Sequence, residues 1–536
     1  MIDRSGASEP SQGEPGLSLR AAALTLSADA AAFAALAAHP LLGGPTRLRR
    51  ARHDITYFDT DAADLNLHGL TLASRRLRAG AVLRLTGPEG VVEVKAEAAD
   101  IEALPAAARA RAARAAARRP LRPWVELRLR RAARLLSFEG AMIEAAFEEG
   151  EIVAGTQTRP LREITLTLKA GEPAALYRLG LAMLDLAPLS LGVASQAERG
   201  FALAAGDAGP APRARPPDFG AEATLDAALA GLLRQGLAHF LGAWPALTSS
   251  DAAEAVHQIR VALRRLRSLL AVLRKAFPAA EVDFLRAEAK RIADSFGPAR
   301  DWRVFCDMVA AGPAARLGAS VAGRLGASGM AELIALAQAR AEAGQAQGAQ
   351  TLAAAGATRF ALALHLYVCA RGWRNAAGEA NLRALGEPAA EFAAHALERL
   401  FRRVRRRARG FAALAPEARH EMRIALKQLR YAVDFFGALF RPGAAVAGFA
   451  EAASELQDLL GLANDAAVAA HRVAEIELTD DPELAFAAGA VVGWCERSGL
   501  VDEAALRRAW KALRRARRFW RPYLPADVPV EAAVGG

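Results

Sequence analysis

The sequence predicts an α+β region followed by an all-α region. Strand-like and helix-like segments alternate up to about residue 204. Residues 205–220 then combine four prolines with glycines and a few charged residues, a composition typical of a semi-rigid linker. Beyond the linker, long Ala/Leu/Arg/Glu stretches with almost no strand signal continue to about Trp520. This change of pattern predicts two separate domains.

The first region is expected to be an antiparallel sheet with a few helices. Hydrophobic alternation predicts strands at residues 24–26, 55–58, 81–86, 91–96, 124–129 and 164–168. Helices are expected from Asp29 onward, at 106–119 and at 173–186. Residues 1–16 are polar and rich in Gly and Pro, so they are expected to be a disordered tail, and 526–536 form a second tail.

Charge favours an anionic partner. The chain has 536 residues, 53% of them hydrophobic, with a net charge of +11 and an isoelectric point near 10.1. Residues 1–204 contribute +3 of this charge and the remainder +8. Such an excess suits nucleic acid, another polyanion or an anionic membrane surface, and charge alone does not choose among them.

Cysteine usage and the N-terminus indicate a cytoplasmic protein. Cys306, Cys369 and Cys495 are far apart and form no CxxC pair, so neither a disulfide framework nor a zinc knuckle is expected. Residues 1–16 lack the basic and apolar segments of a secretory signal. No uninterrupted apolar stretch of about 18 residues appears, so no membrane span is expected.

The helical region contains an internal duplication. Residues 257–267 read HQIRVALRRLR, and residues 420–430, 163 positions later, read HEMRIALKQLR. On a helix the basic residues of each copy fall within an arc of about 80°. The first ridge is therefore His257, Arg260, Arg264 and Arg267, and the second ridge is His420, Arg423, Lys427 and Arg430. An apolar stripe lies beside each ridge: Ile259, Leu263, Leu266 and Leu270 in the first copy, and Met422, Leu426, Leu429 and Val433 in the second.

A second landmark extends the duplication. Residues 296–304, FGPARDWRV, are echoed by LGLANDAAV at 460–468. Gly297 and Gly461 are expected to end a helix, and Asp301 and Asp465 to cap the next helix or to pair with the ridges. Each repeat then forms a four-helix bundle. Arg300 ranks below the ridges as a binding residue because Asn464 stands at its place in the second copy.

Residues 17–204 resemble a CYTH domain. The resemblance rests on YFDT at 57–60, GLTL at 69–72 leading to Arg75, EITLTLK at 163–169, and SQAERGF at 195–201. It implies an antiparallel β tunnel in which active members bind triphosphate through inward Arg and Lys, and a divalent metal through inward Glu. The YFDT turn is structural in that family. Possible remnants of the tunnel site are Arg75, Glu163, Lys169 and Arg199.

The sequence departs from the CYTH pattern where the chemistry would lie. The family's Glu-x-Glu-x-Lys corresponds to residues 19–23, which hold no carboxylate, and Thr165 and Thr167 replace later carboxylates. Ala73 stands at a family Arg, and Gln196 at a family Lys. The expectation is a tunnel without catalytic residues and without a resident cofactor. Mg²⁺ or Mn²⁺ would act only if residual hydrolysis remained.

Residues 221–525 resemble a CHAD domain, through both landmarks in both repeats. The resemblance implies binding of inorganic polyphosphate by basic residues of two pseudosymmetric halves, and association with polyphosphate granules. By position this role falls to His257, Arg260, Arg264, Arg267, His420, Arg423, Lys427 and Arg430, with Arg265 and Tyr431 as weaker additions. Other polyanions remain possible partners. A metal-dependent triphosphate or polyphosphate hydrolase and a nucleic-acid-binding protein are the open alternatives, and the basic runs 402–409 and 507–521 are candidate accessory contacts.

Overall fold

The structure is a computed structural model and describes residues 23–44, 49–77, 80–96, 100–215, 219, 223–310, 328–375, 378–440, 443–476, 481–498 and 502–524. The expected tails at 1–16 and 526–536 lie outside these residues, as do 216–218 and 220 of the expected linker. Contacts divide the chain into two compact units, 1–209 with 248–250, and 210–247 with 251–536.

The first unit is a nine-stranded antiparallel sheet with five helices among its described residues. The strands are β1 (Ala23–Ala28), β2 (Ala51–Asp59), β3 (Thr71–Arg76), β4 (Ala81–Gly87), β5 (Gly90–Ala96), β6 (Arg122–Phe138), β7 (Ala141–Ala154), β8 (Gln157–Ala170) and β9 (Leu189–Leu191). The helices are α1 (Ala30–Ala38), α2 (Asp64–Leu67), α3 (Ala106–Ala115), α4 (Pro173–Leu186) and α5 (Gln196–Ala205).

The strand order is β5-β4-β3-β2-β6-β7-β8-β1-β9. All six predicted strands are present, so the predicted fold class is confirmed for this region. The sequence did not predict β3, β7 or β9. The β7 strand contains several Ala and Glu residues, which disfavour strands, and pairing with β6 on one side and β8 on the other overrides that preference. The helix predicted at 106–119 ends at Ala115.

The YFDT turn has the structural role expected of it. Asp59 is fully buried, and its carboxylate accepts hydrogen bonds from the backbone N–H groups of Thr60 at 2.7 Å, Leu65 at 2.8 Å and Asn66 at 2.9 Å. The bonds from Leu65 and Asn66 satisfy N–H groups in the first turn of α2, which have no partner within the helix itself. A buried carboxylate of this kind holds the connection between β2 and β3.

The second unit is helical. Its helices are α6 (Leu225–Ala243), α7 (Ala252–Ala276), α8 (Ala280–Ser295), α9 (Gly297–Ala310), α10 (Ser328–Ala353), α11 (Ala355–Cys369), α12 (Glu379–Gly386), α13 (Ala389–Arg407), α14 (Pro416–Phe436), α15 (Ala444–Ala474), α16 (Pro482–Ser498) and α17 (Glu503–Arg515). The predicted all-α class is confirmed for this region. The two ridges lie on α7 and α14, and α6, α7 and α8 of the first repeat correspond to α13, α14 and the first half of α15.

The two repeats meet along an approximate two-fold relation. The N–H of Leu225 donates to the carbonyl of Glu387, and the N–H of Ala389 donates to the carbonyl of Ala223, both at 2.9 Å. Leu225 and Ala389 are equivalent positions of the two repeats, as are Ala223 and Glu387. The second bond therefore repeats the first with donor and acceptor exchanged. The α7 and α14 helices also contact each other directly.

One expectation about the helix ends was wrong. Gly297 stands where α8 gives way to α9, as expected, but Gly461 lies inside the continuous 31-residue helix α15. A glycine inside a helix costs about 1 kcal/mol relative to alanine, which a well-packed helix tolerates. The second half of α15 and α9 pack with α10 and α16 around a common core that includes Trp302, Phe305 and Leu333.

Within the described part of the chain, no single helix is both long and apolar enough to cross a membrane. One bent pair, Gly329–Ala353 with Ala355–Cys369, meets the length and composition criteria only when the two helices are taken together.

Candidate anion-binding site

Burial of the apolar stripes determines the orientation of the ridge side chains on each helix. Asp251 caps α7 by accepting a hydrogen bond from the N–H of Glu254 at 3.2 Å. The predicted stripe residues are all buried, with exposures of 3% or less in both copies, so that prediction is confirmed. Because the ridge residues stand beside the stripes on the same helices, they lie at the boundary between core and solvent. Of the two ridges, His420 is exposed and the other seven residues are half-buried.

Three residues of the first ridge converge with an arginine from another helix. His257 and Arg260 of α7 both lie in the electrostatic range of Arg264 on the same helix and of Arg300 on α9. Burial lowers the pKa of His257, Glu254 opposes that shift, and Arg300, Arg264 and Arg260 lower it further. We call these four residues, His257, Arg260, Arg264 and Arg300, the first cation group. Repulsion between these like charges raises the free energy of the positively charged group, and a bound anion would lower it.

The arginines of the first cation group have unused hydrogen-bonding capacity. Arg260 donates from Nη1 to the carbonyl of Ala293 at 2.8 Å, in the last turn of α8, where carbonyls lack helical partners. Yet the Nε atoms of Arg260 and Arg264 are buried and have no hydrogen-bond partner among the described residues. A buried donor without an acceptor costs about 1–3 kcal/mol, and a bound oxyanion could supply that acceptor.

Burial also lowers the pKa of Arg260, and Arg264 adds to that effect, whereas Asp301 opposes it. Asp301, which was expected to pair with the basic ridges, therefore interacts electrostatically with Arg260 of the first ridge. The closer partner of Asp301 is Arg472 of α15, at 3.0 Å. Asp301 lies inside α9 and does not cap it. The side chain of Asp465 is outside the described part of the structure.

The last arginine of each ridge interacts with a side chain on the helix that follows. Arg430 donates from Nε to Oε1 of Gln457 at 3.0 Å and lies 3.7 Å from Asp434. Arg267 interacts with Asp294, which occupies the place of Gln457 in the first repeat, and burial is the main cause of its lowered pKa. Both arginines therefore anchor helices, and a ligand would have to share them with these partners.

Arg265 and Tyr431 lie at the contact between α7 and α14 rather than on the ridges. The Arg265 guanidinium carbon is 5.0 Å from the ring centroid of Phe435, and Asp434, Tyr431 and Arg430 are its charged or polar neighbours. Tyr431 is only 6% exposed and lies under the guanidinium of Arg430 at 5.0 Å. Their contacts are made within the domain, so their role as additions to the binding surface stays a prediction.

Some arginines of the basic runs outside the ridges are paired within the domain. Arg402 pairs with Glu398 at 3.0 Å, and Arg407 pairs with Glu421. In the run 507–521, Arg514 lies 5.9 Å from the ring of Trp510, and Arg518 pairs with Glu398 at 3.2 Å. Trp520 is fully buried. The terminal segment of the described chain is thus part of the domain core.

The four possible tunnel remnants lie in the first unit and remain close to β-sheet carboxylates or cations. Glu163 is 1% exposed, and Arg199 approaches its Oε1 at 2.6 Å. Gln196 donates from Nε2 to Glu163 at 3.1 Å and to Glu148 at 2.9 Å. The Ser27 hydroxyl donates to Glu163 at 3.3 Å. Gln196 therefore bridges two carboxylates.

Two carboxylates and one cation of this face were missed in the sequence. Glu148 pairs with Arg131 at 3.2 Å, and Glu144 pairs with Arg131 at 2.9 Å and with Lys169 at 3.5 Å. Glu144 and Glu148 are four residues apart on β7, so they share a face, and the register places Glu148 opposite Glu163. The spacing of Glu144 and Glu148 indicates a shared face only if β7 is recognised as a strand, and the sequence did not predict β7.

Burial raises the pKa of Glu148, and the nearby Glu163 adds to this, while Gln196 and Arg131 oppose it. Arg75, on β3, is half-buried and acts on His53 of β2. Burial lowers the pKa of His53 to about 4, with contributions from Arg131 and then Arg75. The face is therefore polar, but its charges largely neutralise one another.

This face does not fit a divalent metal. Among the described residues, no three His, Cys, Asp or Glu side chains are arranged to hold a metal ion. The oxygens of Glu144, Glu148 and Glu163 instead accept from arginine, lysine and glutamine donors. On β1 the positions opposite Thr165 and Glu163 hold Thr25 and Ser27, without a carboxylate, and residues 19–22 lie outside the described chain.

Substitution of Gln196 by alanine is expected to destabilise the first unit. Loss of the bridging amide leaves Glu148 and Glu163 facing each other with one fewer donor, at a cost of about 1–3 kcal/mol. The folded-state pKa of Glu148 is already raised, so the penalty should shrink as the pH falls and Glu148 takes up a proton. Urea unfolding at neutral and acidic pH would measure both effects. An equal penalty at the two pH values would contradict this account of the bridge.

Comparison with known proteins identifies part of the chain. The family model described as CHAD domain matches residues 231–474. An uncharacterized protein of Mycobacterium tuberculosis, Rv2226, is 28% identical over 279 residues, which are 47% of this chain and 52% of that protein. The chain thus spans about half the length of this curated relative.

Two solved structures are similar to parts of the chain. The crystal structure of the CHAD domain from the plant Ricinus communis is 28% identical, with a TM-score of 0.47, over 57% of this chain and 98% of that one. The Hippeastrum protein HpAC1, whose structure is described as revealing a dominant triphosphatase activity, is 19% identical, with a TM-score of 0.24, over 34% and 94%. The predicted CHAD domain is confirmed by the family match, and residues 231–474 of this chain form a CHAD domain.

Proposed function

We propose that the chain binds inorganic polyphosphate through its CHAD domain, with residues 17–204 and 221–525 as its two domains. The observation that carries the proposal is the first cation group, in which His257, Arg260, Arg264 and Arg300 lie together and two buried Nε donors lack protein acceptors among the described residues. A polymer of phosphates supplies repeated oxyanions to such donors. The half-buried cations of the second ridge would extend the contact along α14.

The mechanism of binding is electrostatic. Arginine guanidinium groups donate directional, charge-assisted hydrogen bonds to phosphate oxygens. Each phosphate neutralised by a protein cation releases counterions from the polymer, which makes the affinity depend steeply on salt. The net charge of +11 assists association over longer distances. We place the protein in the cytoplasm, on polyphosphate granules where these are present.

A comparison of two polymers tests the proposal. Long-chain polyphosphate and single-stranded DNA are titrated against the full chain at a low and a moderate salt concentration. We expect polyphosphate to bind more tightly than DNA at both, because the described cation groups contain no exposed aromatic platform for bases. Tighter binding of DNA would replace this proposal with the nucleic-acid alternative.

The first unit is proposed to be a non-catalytic relative of the triphosphate tunnel. With Mg²⁺ or Mn²⁺ present, the protein is expected to release little or no phosphate from tripolyphosphate, because the carboxylates of the sheet are paired with Arg131, Lys169 and Arg199. Turnover on the order of 1 per second, an ordinary enzymatic rate, would instead favour the hydrolase alternative. Loss of that turnover in Glu163→Ala would then locate it in this unit.

Binding is expected to strengthen as the pH falls below neutrality. In the free protein, burial together with Arg300, Arg264 and Arg260 holds the pKa of His257 below its ordinary value of 6.5. A bound phosphate chain brings negative charge and raises that pKa, so binding takes up a proton. Titrations at about pH 7.5 and about pH 5.5 should therefore show tighter binding at the lower pH.

His257→Gln should reduce this pH dependence. His471→Gln should leave it unchanged, because His471 is exposed outside the ridges and contacts Glu475 at 3.4 Å. An undiminished pH dependence in the His257 variant would show that other groups take up the proton.

A further inference from the structure

A lysine at the end of α7 continues the first ridge. Lys275 lies five full turns beyond His257 at about 3.6 residues per turn, so the two occupy the same angular position on the helix. Lys275 lies about 16 Å along the helix axis from Arg264, at about 1.5 Å per residue. Its side chain is exposed, as expected for the last turn of a helix, where a cation is favoured.

Three arginines of α13 lie within electrostatic range of this lysine. Arg399, Arg403 and Arg406 are spaced four and three residues apart, which places them on one helix face. Arg403 donates from Nη1 to Oε1 of Gln428 at 2.9 Å and thereby holds this face against α14. Partial burial lowers the pKa of Lys275, and the charges of Arg399, Arg403 and Arg406 lower it further. We call these four residues, Lys275, Arg399, Arg403 and Arg406, the α7–α13 cation group.

The α7–α13 cation group is not neutralised within the described part of the protein. There, no salt bridge joins any of the four side chains to a carboxylate. The neighbouring arginines of the same run differ, because Arg402 pairs with Glu398 and Arg407 with Glu421. Arg402 and Arg407 flank the group, each about 40° around α13 from its nearest member, so their carboxylate partners lie beside the group and not within it. Four like charges in one place favour binding of an anion.

The group is not a product of the duplication. In the register that aligns His257 with His420, the places equivalent to the three arginines and to Lys275 hold Gly236, Phe240, Ala243 and Ala438. The neighbouring register, which aligns Asp301 with Asp465, brings Gln235, His239, Gly242 and Leu439 to these places, again without lysine or arginine. The pseudosymmetry of the ridges therefore does not account for this concentration of charge.

We propose that a long phosphate chain bound at the first ridge continues along α7 and is held a second time by Lys275, Arg399, Arg403 and Arg406. The proposal rests on the proposed function and adds a preference for long chains. A chain that reaches both groups makes its second contact intramolecularly, at high effective concentration. Tripolyphosphate is too short to reach across the about 16 Å between Arg264 and Lys275 and would occupy one group at a time.

The test compares two double variants of the full chain with equal loss of charge. Arg399→Ala/Arg406→Ala removes two members of the α7–α13 cation group. Arg405→Ala/Arg409→Ala removes two exposed arginines nearby that are outside the group. Both are compared with the unchanged protein by titration with long-chain polyphosphate and with tripolyphosphate over a range of salt concentrations. Circular dichroism and thermal unfolding check that the helices are retained, which alanine favours.

We expect Arg399→Ala/Arg406→Ala to weaken binding of long-chain polyphosphate about tenfold through loss of the second contact, while binding of tripolyphosphate changes less than about twofold. The slope of log affinity against log salt should become shallower by on the order of 0.7 per lost phosphate contact, the value for single-stranded nucleic acids. The control should change the affinity for neither ligand by more than about twofold.

Equal losses in the two variants, or equal losses for the two ligands, would overturn the proposal. In those cases Arg264→Ala/Arg300→Ala separates the two hypotheses. If that variant still loses polyphosphate, the proposed function stands and only the second contact fails. If neither variant affects polyphosphate, the proposed function itself fails.

Discussion

Replacement of Arg264 and Arg300 by alanine is expected to weaken polyphosphate binding about a hundredfold. Each arginine is expected to contribute a charge-assisted hydrogen bond worth about 1.5–3 kcal/mol, so two lost contacts cost about 3 kcal/mol or more. Both residues lie in the first cation group, and the buried Nε of Arg264 has no acceptor among the described residues. The affinity is measured by titration at constant salt.

Arg303→Ala is the control for this variant. Arg303 lies on α9, three residues beyond Arg300, and its guanidinium pairs with Asp307 at 3.1 Å. Its loss should change the affinity less than about threefold, since a solvated, paired cation contributes little to binding. A comparable loss in the control would mean that general positive charge attracts the polymer.

The double variant leaves Arg260 in place for a structural reason. Arg260 donates to the carbonyl of Ala293 at the end of α8, so its removal would alter both stability and binding. Arg264 and Arg300 have no such bond to another helix end among the described contacts. A variant that keeps Arg260 therefore reports on the ligand rather than on the fold.

Replacement of Glu398 by alanine is expected to destabilise the helical unit by about 3 kcal/mol, because a buried indole N–H loses its acceptor and two partly exposed arginines lose a charge-assisted partner. The Glu398 carboxylate accepts from Arg402 at 3.0 Å, from Arg518 at 3.2 Å and from the indole N–H of Trp520 at 3.1 Å. Without it, two cations and a buried indole lose their common acceptor. Urea unfolding measures the change in free energy.

The pH dependence of this loss has a defined sign. Burial tends to raise the pKa of Glu398, but Trp520, Arg402 and Arg518 outweigh it, so the folded-state pKa is lowered from 4.5. Stability from such a group is present above its unfolded pKa and is lost as the pH falls through the folded value. The difference between Glu398→Ala and the unchanged protein should thus shrink below about pH 4.5.

Glu391→Ala provides the matched comparison, since Glu391 lies exposed in the first turn of the same helix. We expect a change of less than about 0.5–1 kcal/mol there, from the helix dipole alone. A similar effect of the two substitutions would show that Glu398 does not hold the terminal segment.

The ridges could be predicted from the sequence because helical phase is a local property. Spacings of three and four residues placed His257, Arg260 and Arg264 together, and the adjacent stripe, with Ile259 and Leu263, predicted the buried side. The nine-stranded sheet was predicted in class, but not in its complete set of strands. In β7, composition opposed the assignment and long-range pairing decided it.

Partners from distant helices could not be predicted in the same way. Arg300 ranked below the ridges because Asn464 replaces it in the second copy, yet it lies beside His257. The duplication argument identifies what the halves share, so it undervalues a residue that only one half has. The same reason applies to Lys275, which joins Arg399 and Arg403 across two helices.

The exchanged backbone bonds at Leu225 and Ala389 have a consequence for how the domain assembles. Such reciprocal pairing is the geometry of an isologous homodimer, here with both protomers on one polypeptide. Two separate protomers would associate only above a threshold concentration, whereas the covalent connection makes the pairing independent of dilution. It also removes the requirement that both protomers be identical. One half can therefore acquire residues such as Arg399 and Arg406 while the other keeps an apolar or neutral surface at the same place.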